Sequence, residues 1–274
     1  MITVLDASRA LLIEVAQILN EQSCNYVIVG GWSPYLRNNT THAHPGTKDV
    51  DVLFSDAHAR GGISAIVDSF LDRGFLVSAK HDFQLLKEVE VSGKKLVFNI
   101  DLLHPSETID NPELFVDHFD LGIKESDFGD DKLVRSIVLP SSQLLFKRGM
   151  WSAMPVTCQL TGRTLDVPLI TEAGCLLSKC GSVGLAKRKR DAFDIFLSVK
   201  SAGVVRIAET IRPYAHINGV RELLTSLRKF LAEPCCVDGS FLEFDTRVLR
   251  YAREASDEGL PSGLVLNVLD AIMR

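Results

Sequence analysis

Thr47-Lys48-Asp49-Val50-Asp51-Val52-Leu53-Phe54 alternates and is rich in β-branched residues, a pattern that predicts a strand over 48–54. Side chains two apart in a strand share a face, so Asp49 and Asp51 point the same way, roughly 6 to 7 Å apart at the backbone. Two carboxylates on one face repel each other and are costly to keep ionised without a counter-charge. A pair of Mg²⁺ ions, or Mn²⁺ in their place, would supply it, because such ions prefer carboxylate and phosphate oxygens. Taken alone, the Asp-x-Asp pair is more simply a solvated face at a sheet edge, and it is the neighbouring segments that change this.

A third acid, Asp101, interrupts the apolar run Val97-Phe98-Asn99-Ile100-Asp101-Leu102-Leu103. The run follows a strand-like segment over 83–91, and Ser92-Gly93-Lys94-Lys95 between them reads as a hairpin turn. If the strand of Asp101 lies beside that of Asp49, three carboxylates converge on one edge of a sheet. Upstream, Tyr26-Val27-Ile28-Val29-Gly30-Gly31-Trp32-Ser33 predicts a buried strand, a tight turn and a helix over 32–38. Glycines there let the backbone approach a ligand closely, and the free amides of a helix start suit a phosphate. Many folds need such a turn, so Gly30-Gly31 is weak evidence alone. All three features in this order point to a site.

Strand-Gly-Gly-helix, then Asp-x-Asp on a strand, then a lone Asp on a later strand resembles the nucleotidyltransferase superfamily that includes DNA polymerase β. The resemblance covers roughly the first hundred residues. It implies an α/β fold with a mixed sheet domain, an NTP substrate and a two-metal site. By position it assigns Gly30, Gly31 and Ser33 to the triphosphate, Asp49 and Asp51 to the metal pair, and Asp101 to the third carboxylate.

Farther along, Leu176-Leu177-Ser178-Lys179 precedes Lys187-Arg188-Lys189-Arg190-Asp191-Ala192-Phe193-Asp194-Ile195. This resembles the Lys...Arg-Asp-x-x-Asp signature of the AbiEii toxins and the related MenT tRNA nucleotidyltransferase toxins. The resemblance implies that Lys179 neutralises phosphate charge and that Asp191 assists the acceptor or orients Lys179. It further implies an RNA acceptor such as the tRNA 3′ end, and a cognate antitoxin as partner. Pro45 stands where that family carries an arginine before Thr-x-Asp-x-Asp, and the segment over 38–46 is long. Blander readings stand beside these. A charge run at a helix start is usually a solvated face, Lys187 and Asp191 are spaced as a surface ion pair, and Lys179 either snorkels to solvent or reaches a cleft. His42 and His44, in the loop before Asp49, read as contacts to nucleotide or metal, or more simply as polar loop residues.

The residues over 1–139 alternate helix and strand: helix 7–20, strands 26–29 and 48–54, helix 57–73, and strands 83–91, 95–103 and 133–138. Pro140-Ser141-Ser142 marks a predicted boundary and helix start. After a short β-like patch ending at Val167-Pro168, residues 140–274 read as mostly helical, with helices over 171–180, 189–200, 204–212, 219–231, 245–254 and 262–273. A cleft between a sheet domain and a helical one is a common place for a ligand.

Composition predicts a cytoplasmic enzyme. No apolar run reaches the roughly 18 residues of a membrane span, and the six cysteines among 274 residues show no disulfide spacing. A net charge of −5 argues against nonspecific coating of nucleic acid, which needs many cations. Local recognition of an RNA end is compatible with it, since bases gather at Lys187 to Arg190 and acids at Glu125 to Asp131. Those acids also suit a second acceptor: Val29-Gly30-Gly31-Trp32 resembles aminoglycoside and lincosamide nucleotidyltransferases, and Glu125, Asp127, Asp130 and Asp131 would line a pocket for a cationic drug. A third reading is a catalytically inactive fold kept as a binding partner, against which the three intact aspartates weigh.

Overall fold

The computed structural model describes residues 2–55, 62–81, 83–105, 115–117, 136–139, 142–235, 241–252 and 259–274. The acids expected over 125–131 lie outside them. Helix α1 (Val4–Glu21) is started by a capping box. The Thr3 hydroxyl accepts from the Asp6 amide, and the Asp6 carboxylate accepts from the Thr3 amide. Its apolar stripe, which includes Leu11, Leu12, Val15 and Leu19, is buried against the sheet. Strand β1 (Tyr26–Val29) is buried throughout, as a strand covered on both faces must be.

There follow α2 (Trp32–Leu36), β2 (Val50–Phe54), α3 (Gly62–Asp72), β3 (Leu76–Val77), β4 (Gln84–Val91), β5 (Lys94–Pro105), β6 (Phe115–Asp117) and β7 (Ser136–Leu139). The β4-β5 hairpin turns on Ser92 and Gly93, at φ of 51° and 79°. Two successive residues with positive φ make a type I′ turn, whose twist matches that of the flanking strands. Strands β8 (Trp151–Thr157) and β9 (Thr164–Ile170) form a second hairpin. The sheet runs β3-β4-β5-β2-β1-β9-β8, with β7 on β5 and β6 on β7. The pairs β1/β9, β2/β5 and β5/β7 are parallel and the rest antiparallel, so the sheet is mixed. The architecture is α/β, as expected.

Sheet membership continues past the boundary expected at 140, a position outside the described residues. What read as a short β-like patch ending at Val167-Pro168 is the β8-β9 hairpin, joined to β1 through Ile28 opposite Leu169. The chain then turns helical: α4 (Glu172–Cys180), α5 (Asp191–Ala202), α6 (Val204–Ile211), α7 (Asn218–Leu231), α8 (Glu243–Leu249) and α9 (Pro261–Met273). Two large cores result, one between α1, α3 and the sheet, the other within α4 to α9. A smaller cluster of Val27, Val29, Leu53, Leu103, Leu145, Ile170 and Cys175 joins the opposite sheet face to α4. Burying apolar side chains on both faces holds the strand ends rigid beside the helices, which is what a site built there needs.

Candidate active site

β2 and β5 run parallel with Asp51 and Asp101 as direct Cα partners, so the two carboxylates stand side by side. Asp49 immediately precedes β2, exposed at the rim, and its carbonyl accepts from the Trp32 indole at 2.9 Å. Burial raises the Asp51 carboxyl above its usual range and the charge of Asp49 adds to this, while Lys179, Arg188 and Arg190 pull it back. Asp101 is pushed up to about 7 by burial and by Asp51, against a hydrogen bond with Gln84. Although Asp49 is exposed as a residue, the crowding around its carboxyl withdraws it from water and raises it, against the pull of Arg190, Lys48 and Arg188. Each acid therefore resists ionisation beside the others.

One oxygen of Asp101, Oδ1, is buried without a hydrogen-bond partner. An orphaned carboxylate oxygen next to two further acids is a donor set suited to a hard divalent cation. The three do not close around a common point: among the described residues, no group of three or more His, Cys, Asp or Glu side chains is arranged to hold a metal ion. Asp51 and Asp101, side by side in the sheet, are the pair that fits, and Asp49 stands exposed just before β2.

The glycine turn makes room for side chains. Gly30 adopts φ +74°, and a Cβ there would lie 1.9 Å from Asp51 Oδ2. A Cβ on Gly31 would lie 2.6 Å from Arg190 Nη2 and 3.0 Å from Thr47. Gly30 is thus demanded by the close approach of Asp51, whereas a side chain at Gly31 would have to displace the end of Arg190. Ser33, expected on the triphosphate, is fully buried and its hydroxyl donates to the Ile170 carbonyl at 2.8 Å. It braces α2 against β9, and α2 itself is only five residues long.

Lys179 and Asp191 come together with residues that sequence reasoning left unassigned. The Lys179 ammonium lies 2.7 Å from Asp191 Oδ1 and 2.9 Å from Asp194 Oδ2, with all three side chains nearly inaccessible. Burial alone would favour the neutral amine, but the charges of Asp194 and Asp191 outweigh it and hold the proton on Lys179 above its ordinary range. Asp191 also accepts from the Ser182 hydroxyl at 2.7 Å. The surface pair expected between Lys187 and Asp191 gives way to this buried pair, because Asp191 opens α5 facing α4 and not solvent. Lys179 likewise neither snorkels nor stands free in a cleft.

Asp194 is the hub. Its Oδ1 lies 3.0 Å from His44 Nε2, and its Oδ2 is 3.6 Å from Arg190 Nε. The Gly46 amide donates to His44 Nδ1 at 3.0 Å. That fixes the tautomer: Nδ1 accepts, so Nε2 carries the proton given to Asp194. Arg190 donates from Nη1 to the Gly46 carbonyl at 3.1 Å. The loop that leads into Asp49 is therefore tied to α5 at His44, through Asp194, and at Gly46, through Arg190. The sequence signal for Asp194 resembled that for Asp101, a lone acid in the apolar run Phe193-Asp194-Ile195-Phe196. His42 packs on Phe196 at 5.5 Å, on the same helix.

Beside this network opens a cleft of about 690 Å³. Asp49 and Asp191 line it together with Lys48, Lys187, Arg188 and Arg190. Four cations converging on one cleft give it the charge to complement a polyphosphate. Among the described residues no helix is long and apolar enough to cross a membrane.

No family model matches the chain, and no curated protein sequence does. Solved structures similar to it include an antigenic nucleotidyltransferase-like protein from Paracoccidioides brasiliensis. That likeness has 12% identity and a TM-score of 0.43, covering 81% of this chain and 92% of the other. Another is the antibiotic-resistance factor ANT(2'')-Ia, at 14% identity and a TM-score of 0.41, covering 79% of this chain and 96% of the other. Both likenesses are too loose to carry a function, which has to come from the side chains themselves.

Proposed function

We propose that the chain is a metal-dependent nucleotidyltransferase that moves a nucleoside monophosphate from an NTP to an acceptor hydroxyl and releases pyrophosphate. The observation that carries this is the register of Asp51 opposite Asp101, with Gly30 leaving the space that the Asp51 carboxylate occupies. Asp51 and Asp101 would hold Mg²⁺, with Asp49 completing the set from the rim. The ions, when bound, neutralise developing charge on the acceptor and leaving oxygens.

The chain's own part is positioning. Asp51 and Asp101 are fixed by a rigid parallel strand pair, and Asp49 by the tie of its loop to α5. Lys48, Lys187, Arg188 and Arg190 bind and orient the triphosphate, a role in which cations aimed at phosphate oxygens supply most of the gain. Arg190 brings to the Gly46 region the positive charge that the AbiEii-like resemblance places at position 45. Lys179 acts through Asp191 and Asp194, holding the start of α5 and so Arg190 in place.

The favoured acceptor is RNA, including the tRNA 3′ end, because a cleft rimmed by Lys187, Arg188 and Arg190 suits a phosphate backbone. On this reading the protein is a toxin of the AbiEii and MenT kind, held in check by a partner antitoxin. Incubation with each α-labelled NTP, Mg²⁺ and either total tRNA or an aminoglycoside and lincosamide panel tests it. Label on tRNA that falls steeply as salt rises is the expected result. Label on a drug with none on tRNA would overturn the RNA acceptor, and no label on any acceptor would overturn the transferase reading.

A further inference from the structure

Three rings form a column that ends in the cleft. His44 stacks on Phe193 with ring centroids 6.3 Å apart and planes at 20°, and Phe193 stacks on Tyr251 at 5.5 Å and 27°. Phe193 is fully buried, whereas Tyr251 is half-buried and lines the cleft. The inner end of the column is fixed, since His44 is held at both nitrogens by Asp194 and the Gly46 amide. Phe193 is fixed within α5 between the other two rings.

We propose that Tyr251 is the platform on which the nucleobase of the incoming nucleotide lies, an inference that rests on the nucleotidyl-transfer reading above. Tyr251 is the one aromatic residue among the described residues that line the cleft, which otherwise presents cations, two acids and small or aliphatic side chains. A nucleotide is a flat π surface joined to a polyanion. The cations Lys48, Lys187, Arg188 and Arg190 recognise the second part, and Tyr251 offers the matching surface for the first. A ring already packed on Phe193 loses little freedom when another ring lies on it, so stacking there is not offset by a large ordering cost. Every base has a π face, and stacking of this kind tolerates any of the four. The platform therefore separates nucleotides from bare polyphosphate, with modest preference for the larger purines.

The test compares binding of ATP and of inorganic tripolyphosphate, each with Mg²⁺, to the full chain and to Tyr251→Phe, Tyr251→Leu and Tyr251→Ala. Melting curves identify the folded variants, and Tyr251→Leu preserves an apolar contact with Phe193 should Tyr251→Ala fail to fold. The expected result is a loss of roughly tenfold or more in ATP affinity for Leu and Ala. Tripolyphosphate affinity should stay within about twofold, and Tyr251→Phe should bind ATP as the parent does. Equal loss for both ligands, or no loss for either, would overturn the platform. A parent chain that binds tripolyphosphate as tightly as ATP also overturns it. If the parent binds neither ligand, the transferase reading fails first and the platform falls with it.

Discussion

His44 and Asp194, 150 residues apart in the chain, meet at 3.0 Å in a buried hydrogen bond whose donor is the histidine. The bond joins the loop carrying Asp49 to helix α5. Lys179 and Arg190 reach the same carboxylate, so a single buried aspartate ties together the loop before Asp49, helix α4 and the cleft's Arg190.

Removing the lysine should expose how much rests on that aspartate. Lys179→Met leaves Asp191 and Asp194 buried with reduced compensation. Breaking a buried pair on one side costs on the order of 3–5 kcal/mol. The double variant Lys179→Met/Asp194→Asn removes one of the stranded charges and should recover part of the loss. Urea unfolding of the two variants measures the coupling. A Lys179→Met protein as stable as the parent would show that the ammonium is not the keystone of the network.

Acid should loosen the same contact. Burial alone would raise Asp194, but Lys179, the His44 hydrogen bond and Arg190 hold it down, to about 2. A carboxyl depressed in the fold contributes stability that is fully present above its unfolded value, roughly 4, and is lost as pH falls through the folded one. The parent should therefore lose stability between about pH 4 and pH 2 by more than Asp194→Asn does. Parallel melting curves across that window check the sign as well as the size.

Much of the acidic edge could be read from the sequence because each feature is local. Asp101 stands out as a lone acid in an apolar run, Asp49 and Asp51 by their spacing, and Ser92-Gly93 by its turn chemistry. What could not be read is long-range. Nothing in the irregular segment over 38–47 reveals that His44 meets Asp194, and nothing in the β8-β9 pattern says that β9 will lie parallel to β1. The same limit hid the purpose of Gly31, since a glycine announces that something comes close without saying that it is Arg190. Lys179 read either as snorkelling to solvent or as reaching a cleft, because its helix is otherwise apolar. Its buried partners, Asp191 and Asp194, belong to the next helix.

Gly30→Ala should be far more harmful than Gly93→Ala. Both residues have positive φ, at 74° and 79°, and the left-handed conformation costs an L residue about 1–2 kcal/mol in each case. At Gly93 an added Cβ meets nothing within 4 Å, but at Gly30 it collides with Asp51 Oδ2. The Gly93 variant should therefore melt lower while keeping full transfer activity. The Gly30 variant should lose activity as well, because Asp51 has to leave its position. Equal activity in the two would mean that the Asp51 position is not needed for transfer.

Asp51→Asn should make the metal-free protein at least as stable as the parent while abolishing transfer. Asp51 is raised by burial and by the charge of Asp49, and Asp101 by burial and by Asp51. An uncharged amide of nearly the same shape relieves that repulsion and the burial of charge, which outweigh the lost attraction of Lys179, Arg188 and Arg190. A cation that binds the folded state alone stabilises it in proportion to the logarithm of its concentration over the dissociation constant. Adding Mg²⁺ or Mn²⁺ should thus raise the melting temperature of the parent, and raise that of Asp51→Asn or Asp101→Asn much less. Melting without substrate separates this from catalysis. Equal metal-induced shifts in parent and variants would remove these acids from the metal site even if both variants were inactive.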